Sequence, residues 1–225
     1  ICTKLLYEYL GDLIVLDVGG ATTDLHSVTV ESDQVARLMI SPEPKAKRTV
    51  EGDLGVYVNR WKVVESIGEE KLREQCREQG FSMEHALETY RAIPKTEEEV
   101  KLVELLTREA VVKAAERHAG RLRYIYGPSG RSTVAEGKDL TQVKYIVGTG
   151  GALTRLPHRE EIMREITRCN ESGMLLLPGE HAQILVDHDY IMASLGVLSK
   201  RYPQAAARLL EQSLGMTFPE RKAEE

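Results

Sequence analysis

Two aspartates, two glycines and two threonines share one short stretch, Asp17-Val18-Gly19-Gly20-Ala21-Thr22-Thr23-Asp24. The apolar run Leu13-Ile14-Val15-Leu16 leads straight into it. A turn built on two glycines leaves backbone N–H groups bare, so an anionic oxygen can approach them closely. Thr22 and Thr23 add hydroxyl donors beside them. Asp17, at the end of a buried strand, can face a hydrated divalent cation or orient a water. Together these parts suit a polyphosphate and its metal. A Gly-Gly pair between two strands is also an ordinary hairpin turn. Three features weigh toward phosphate: a charge closes an apolar strand, it recurs at Asp24, and the turn is longer than a two-residue hairpin needs.

A second glycine cluster, Gly148-Thr149-Gly150-Gly151, again follows a strand and precedes a helix. That placement suits a nucleotide, because free amides at a helix start favour close backbone approach. It is not a dinucleotide fingerprint, since Leu153 stands where the third glycine belongs. No GxxxxGK[ST] run exists, which excludes a P-loop. Glu180-His181 with Asp187-His188-Asp189 could group around a metal; alternatively Asp187 or Asp189 caps the following helix. Ser129 and Ser194 have no nucleophile-elbow context.

The elements that must position these residues follow from pattern. Thr3 to Tyr9 reads as a helix end stopped by Gly11, and Leu13 to Val18 as the first strand. Strands are expected at Asp24–Val30 and Val35–Ile40, then a basic loop from Ser41 through Arg48. Asp53 is the expected cap of a helix running through Trp61 and Val64. Helices are expected at Glu69–Gln79, at Ser82–Tyr90, and from Thr96, as cap, to about His118. Arg121–Tyr126 and Arg131–Ala135 form a hairpin around Gly127-Pro128-Ser129-Gly130. Gln142–Val147 returns to strand, His158–Arg168 to helix, Met174–Leu177 is a short buried run, and Asp189–Lys200 and Pro203–Leu214 close the chain as helices. This order predicts a core lobe from 1–58 and 120–218, a helical insert subdomain at 59–119, and a frayed tail at 219–225.

Composition limits the partners. Hydrophobic residues make up 42% and charged residues 29%, the balance of a soluble globular chain. The net charge of -5, with no basic block, argues against a nucleic-acid surface. No apolar run has membrane-spanning length, and no signal peptide opens the chain. Cys2, Cys76 and Cys169 are scattered and fit a reducing, cytoplasmic setting. The start at Ile1-Cys2, without methionine, predicts a fragment whose preceding half lies elsewhere.

Asp17 to Asp24 resembles the second phosphate motif of the actin-like ATPases, the superfamily of actin, sugar kinases and the seventy-kilodalton heat-shock chaperones. Gly150-Gly151 with Thr154-Arg155-Leu156-Pro157 resembles its adenosine motif, and Ala193-Ser194-Leu195-Gly196 its second connecting motif. Within it, Asp17 to Asp24, Arg48 to Gly55, Glu136 to Thr141 and Leu177 to Glu180 resemble the glutamate mutase-associated (GlmL-type) proteins over nearly the whole chain. The resemblance implies an α/β actin-like (ribonuclease H-like) domain with a mixed sheet, flanking helices and a helical insert. It implies ATP and magnesium as ligands. Asp17 would hold magnesium through water, with Asp24 nearby, and Asp17 and Thr22 would be catalytic. Gly19, Gly20, Ala21, Thr22 and Thr23 would cradle the phosphates; Gly148, Gly150 and Gly151 would let adenosine lie against the backbone. Glu109 and Lys113 would reach base and ribose, though as neighbours at i and i+4 they also read as a surface ion pair. Ala21 departs from the usual third glycine, and one residue is inserted between Gly151 and Thr154. The superfamily's first phosphate motif belongs to the preceding half, so this chain would carry one wall of the ATP cleft. The implied function is an ATP-dependent reactivating, chaperone-like factor for an adenosylcobalamin-dependent mutase. A small-molecule kinase and a non-catalytic scaffold of the same fold are the alternatives.

Overall fold

The computed structural model describes residues 1–128 and 130–219. Helix α1 (Cys2–Leu10) leads into strands β1 (Leu13–Val18) and β2 (Thr23–Val28), short helix α2 (Asp33–Ala36) and strand β3 (Ala46–Glu51). Helices α3 (Arg60–Ile67), α4 (Glu69–Glu78), α5 (Met83–Glu88) and α6 (Glu97–His118) follow. Hairpin strands β4 (Arg121–Gly127) and β5 (Gly130–Glu136) precede β6 (Tyr145–Thr149), α7 (Gly150–Arg155) and α8 (Arg159–Arg164). Strand β7 (Gln183–Val186) and helices α9 (Met192–Leu198) and α10 (Pro203–Leu214) end the chain.

Among the described residues, five strands form one mixed sheet in the order β3-β2-β1-β6-β7. β1 pairs antiparallel with β2 and β2 with β3, while β1–β6 and β6–β7 are parallel. β1 sits in the middle because its apolar run can be buried on both faces. Its residues alternate between two cores. Ile14, Leu16 and Val18 join the core built with α3 to α8; Leu13 and Val15 join the core built with α1, α9 and α10. Parity therefore turns Asp17 toward the α1/α9 side. Helix α6 starts on a capping box: Thr96 Oγ1 accepts from the Glu99 N–H, and Glu99 Oε2 accepts from the Thr96 N–H, each at 3.2 Å. Leu102, Leu106 and Ala110 of α6 share the core of Ile14 and Leu16, so that helix covers the sheet.

Several expected elements stand where the pattern put them, and others do not. No strand forms at Val35–Ile40. Ser32 Oγ accepts from the Val35 N–H and starts α2, and Val35, Leu38 and Met39 pack with Ala135 and Leu176 beneath the β4–β5 hairpin. The third strand is instead β3, which begins within the stretch read as a basic loop and runs three residues past it. It is an edge strand with half-exposed, charged residues, so it lacks apolar alternation. Asp53 caps no helix; its carboxylate accepts from Arg117 at 2.7 and 2.8 Å, and α3 begins after Asn59. Strand β7 was not expected at all. The tail beyond Pro219, and Ser129 in the hairpin turn, lie outside the described residues. No helix among the described residues is long and apolar enough to cross a membrane.

Candidate functional site

The parallel pairing of β1 with β6 sets Asp17 opposite Thr149. It thereby brings the two glycine turns side by side at the carboxyl ends of the central strands. Gly150, at φ +85°, lies directly against Asp17. A Cβ there would overlap Asp17 Oδ1 and fall 2.6 Å from the Val18 carbonyl oxygen, so only glycine fits. A Cβ at Gly148 would meet the Met163 sulfur at 2.5 Å, so that glycine serves strand–helix packing. Gly151 faces open space.

The first turn is strapped down by the segment 54–59. The Gly19 carbonyl accepts from the Val56 N–H at 3.2 Å, and the Gly20 carbonyl from Tyr57 and Val58 at 2.9 and 2.7 Å. Asn59 Nδ2 donates to the Ala21 carbonyl at 2.7 Å, and the Gly19 N–H to the Thr22 carbonyl at 2.9 Å. Every carbonyl from Gly19 to Thr22 is thus occupied. The N–H groups of Gly20, Ala21 and Thr22 make no hydrogen bond among the described residues. With its acceptors satisfied and these donors free, the turn can offer N–H groups to an anion. Thr23 takes a structural part, donating from a buried hydroxyl to the Leu54 carbonyl at 2.7 Å. Thr22 Oγ1 reaches Asp24 Oδ2 at 3.3 Å.

The carboxylates divide the work. Asp17 is half-buried, and its carboxylate makes no hydrogen bond or ion pair among the described residues. Burial, then the nearby Asp24 and Asp187, push its pKa up, with Arg48 opposing. Asp24 is already paired: Arg48 Nε and Nη2 both donate to its Oδ1, at 3.0 and 2.6 Å. Asp187 is fully buried and accepts from Thr149 Oγ1 at 2.8 Å, Ser213 Oγ at 2.6 Å, and the N–H groups of Ile191 and Met192 at 3.2 and 3.0 Å. It meets the first amides of α9 from four residues ahead of that helix's N-cap, Ile191, and pins Thr149 beside Asp17. No group of three or more His, Cys, Asp or Glu side chains among the described residues could hold a metal unaided.

Two hollows flank the turns. A small one of about 200 Å³ is lined by Asp17, His26, Thr149 and the starts of α1 and α9. Burial, then Arg48, lowers the His26 pKa, so its imidazole is neutral at pH 7. A larger cavity of about 570 Å³ opens on the other side. Gly19, Gly20 and Gly151 form its floor, and Arg155 borders it. Tyr57 and Tyr90, stacked with centroids 5.9 Å apart, supply one wall. Val100 and Val103 of α6 supply another. Glu109 and Lys113 do not line it: Glu109 accepts from Ser66 Oγ at 2.6 Å, and Lys113 pairs with Glu116 at 2.8 Å rather than with Glu109. Sequence reading also passed over residues the geometry brings in. Gly55 is one, since a Cβ there would fall 2.6 Å from Ala21 Cα. Tyr190 is another, lining the cavity at φ 53°, an unusual conformation for a bulky residue. Gly52-Asp53-Leu54-Gly55 signals only a turn, and nothing local marks Tyr190.

The family model described as MutL protein matches residues 2–214. Protein MutL of Clostridium tetanomorphum is 36% identical over 211 residues, covering 91% of this chain. The chain spans 46% of that relative's length. A match of this extent and identity shows that the chain belongs to the MutL protein family.

Proposed function

We propose that this chain is the nucleotide-holding wall of an actin-like ATPase, and that the full-length protein reactivates an adenosylcobalamin-dependent mutase of the glutamate mutase type. The observation that carries the nucleotide reading is the contact of Gly150 with Asp17, which joins the two glycine motifs into one place. The sheet supports it: an antiparallel meander of β1, β2 and β3 continued by parallel β6 and β7 is the core expected of a ribonuclease H-like fold. The mutase enters through the likeness to glutamate mutase-associated proteins and through family membership.

The residues present fit magnesium and a nucleotide. Asp17 is a half-buried carboxylate without a counter-charge of its own, and the free N–H groups of Gly20, Ala21 and Thr22 lie one turn away. Asp17 would hold magnesium through water, and those N–H groups would hold phosphate oxygens. Bound magnesium neutralises phosphate charge. Gly151 and Arg155 would border the nucleoside. Asp187 keeps Thr149 in place, and Arg48 keeps Asp24 from repelling phosphate at full strength. Nucleotide-dependent closure against a second lobe would bind the client differently in each state, which is what coupling to cofactor exchange requires.

The test is an inactivated mutase from the same source, given the full-length protein, ATP, magnesium and fresh adenosylcobalamin. Recovery of activity should require ATP and fail with Asp17→Ala. Gly150→Val should fail as well, because its side chain displaces Asp17. Recovery without the protein, or phosphate transfer to a metabolite instead of release to water, would sink the reactivation reading and favour a kinase.

A further inference from the structure

Two exposed surfaces away from the glycine turns carry opposite charge, each around an aromatic side chain. The first is the outer part of the β4–β5 hairpin. Leu122 pairs with Ala135, Tyr124 with Thr133 and Tyr126 with Arg131, so these residues share one face of the hairpin. At the base, Leu122 and Ala135 pack with Val35 and Leu176. Toward the tip the same face is uncovered: Tyr124 is 47% exposed and Tyr126 79%. The Arg131 guanidinium lies 4.4 Å from the Tyr124 ring centroid. The hairpin carries Arg121, Arg123 and Arg131 against Glu136 alone, so it is basic within an acidic chain. The second surface is a groove of about 350 Å³ among α3, α4 and α5. Val64, Met83 and Leu87 give it an apolar floor, and Trp61, the chain's only tryptophan, stands at its rim 55% exposed. Arg73 is the one cation bordering it among the described residues, and Glu84 already holds it at 2.8 Å. That leaves the exposed carboxylates of Glu69 and Glu88 to set the charge of the rim.

We infer that the hairpin of one copy docks into the α3–α5 groove of a second copy of this chain. Within one copy the two surfaces do not meet, since no described hairpin residue lines the groove and Tyr126 stays exposed. Between copies, Tyr126 covers the apolar floor beside Trp61, and the hairpin arginines face Glu69 and Glu88. Tryptophan, tyrosine and arginine are the side chains that anchor interfaces, and opposite charge around them fixes partner and orientation. The contact joins two different surfaces, so every added copy still presents a hairpin or a groove to the next, and copies add head to tail. The hairpin tip is small, which makes the contact weak and reversible.

Sedimentation velocity of the full-length protein at rising concentration tests this. The mean sedimentation coefficient should climb with concentration, and Trp61→Ala and Tyr126→Ala should each weaken association by about tenfold or more. Glu69→Lys with Glu88→Lys makes the groove basic, and Arg131→Glu with Ser132→Glu makes the hairpin acidic. Neither double variant should associate alone, because its two surfaces then carry like charge. An equal mixture of the two should associate again. All of these side chains are exposed, so the variants keep the fold, which circular dichroism checks. A protein that stays monomeric throughout, double variants that associate as the unaltered protein does, or a mixture that stays apart overturns the inference. None of these outcomes bears on nucleotide binding.

Discussion

His118 ends α6 deep in the core, with Nδ1 2.9 Å from Thr49 Oγ1 and Nε2 2.8 Å from Ser27 Oγ. Burial, with Lys47, His26 and Lys138 adding repulsion, pushes its pKa down to about 3. The unfolded chain binds that proton near the ordinary histidine pKa of about 6.5, the folded chain only near the lowered value. Stability from this group is therefore complete above the unfolded pKa and is lost as pH falls from there toward 3. Acid should erode stability by up to about 1.4 kcal/mol per pH unit across that window. Denaturant titrations at stepped pH should show the slope, and His118→Gln should remove this part of it. A slope unchanged in the variant would assign the acid sensitivity elsewhere. Nothing in the sequence marks His118 as special, because its partners come from β2 and β3, far along the chain. Asp17 stands out by contrast, as a charge closing a run of four apolar residues.

The strap at 54–59 shows what an element adds to a motif. It occupies the turn's carbonyls, and Gly55 lets its backbone lie on Ala21. Gly55→Ala should therefore cost about 1–3 kcal/mol by overpacking and should also weaken nucleotide binding. Gly52→Ala, where an added Cβ meets nothing within 4 Å, should change stability by less than about 0.5 kcal/mol. Chemical denaturation of both variants checks this, and equal effects would remove the strap's role. Elements with a strong local signal were readable: β1 by its unbroken apolar run, α6 by its capping box, α10 by Pro203 at its start. β3 and β7 were not, since one is a charged edge and the other is only Gln183–Val186. Val35–Ile40 misled because its apolar residues are buried beneath a hairpin instead of in a sheet. Long-range closeness, such as Gly55 on Ala21, leaves no trace in local pattern.

At the scale of the whole molecule, the proposed site is a surface with one wall. Its free N–H groups and Asp17 border open hollows, and this arrangement by itself holds no second set of donors for a transferring phosphate. The isolated chain should not turn over ATP. Magnesium-dependent phosphate release by the purified 225-residue chain, abolished by Asp17→Ala, would contradict that. The same topology orders events in time. During synthesis β1, β2 and β3 emerge before β6 and β7, and as an antiparallel meander they can pair without help. Asp17 must then wait for Gly150, which only a loop closure over most of the chain delivers. Until the ribosome has released β6 and α7, no nucleotide can stabilise the nascent chain through both turns. A transcript truncated before Thr149 would yield a product that keeps the aspartate and has nothing to set against it.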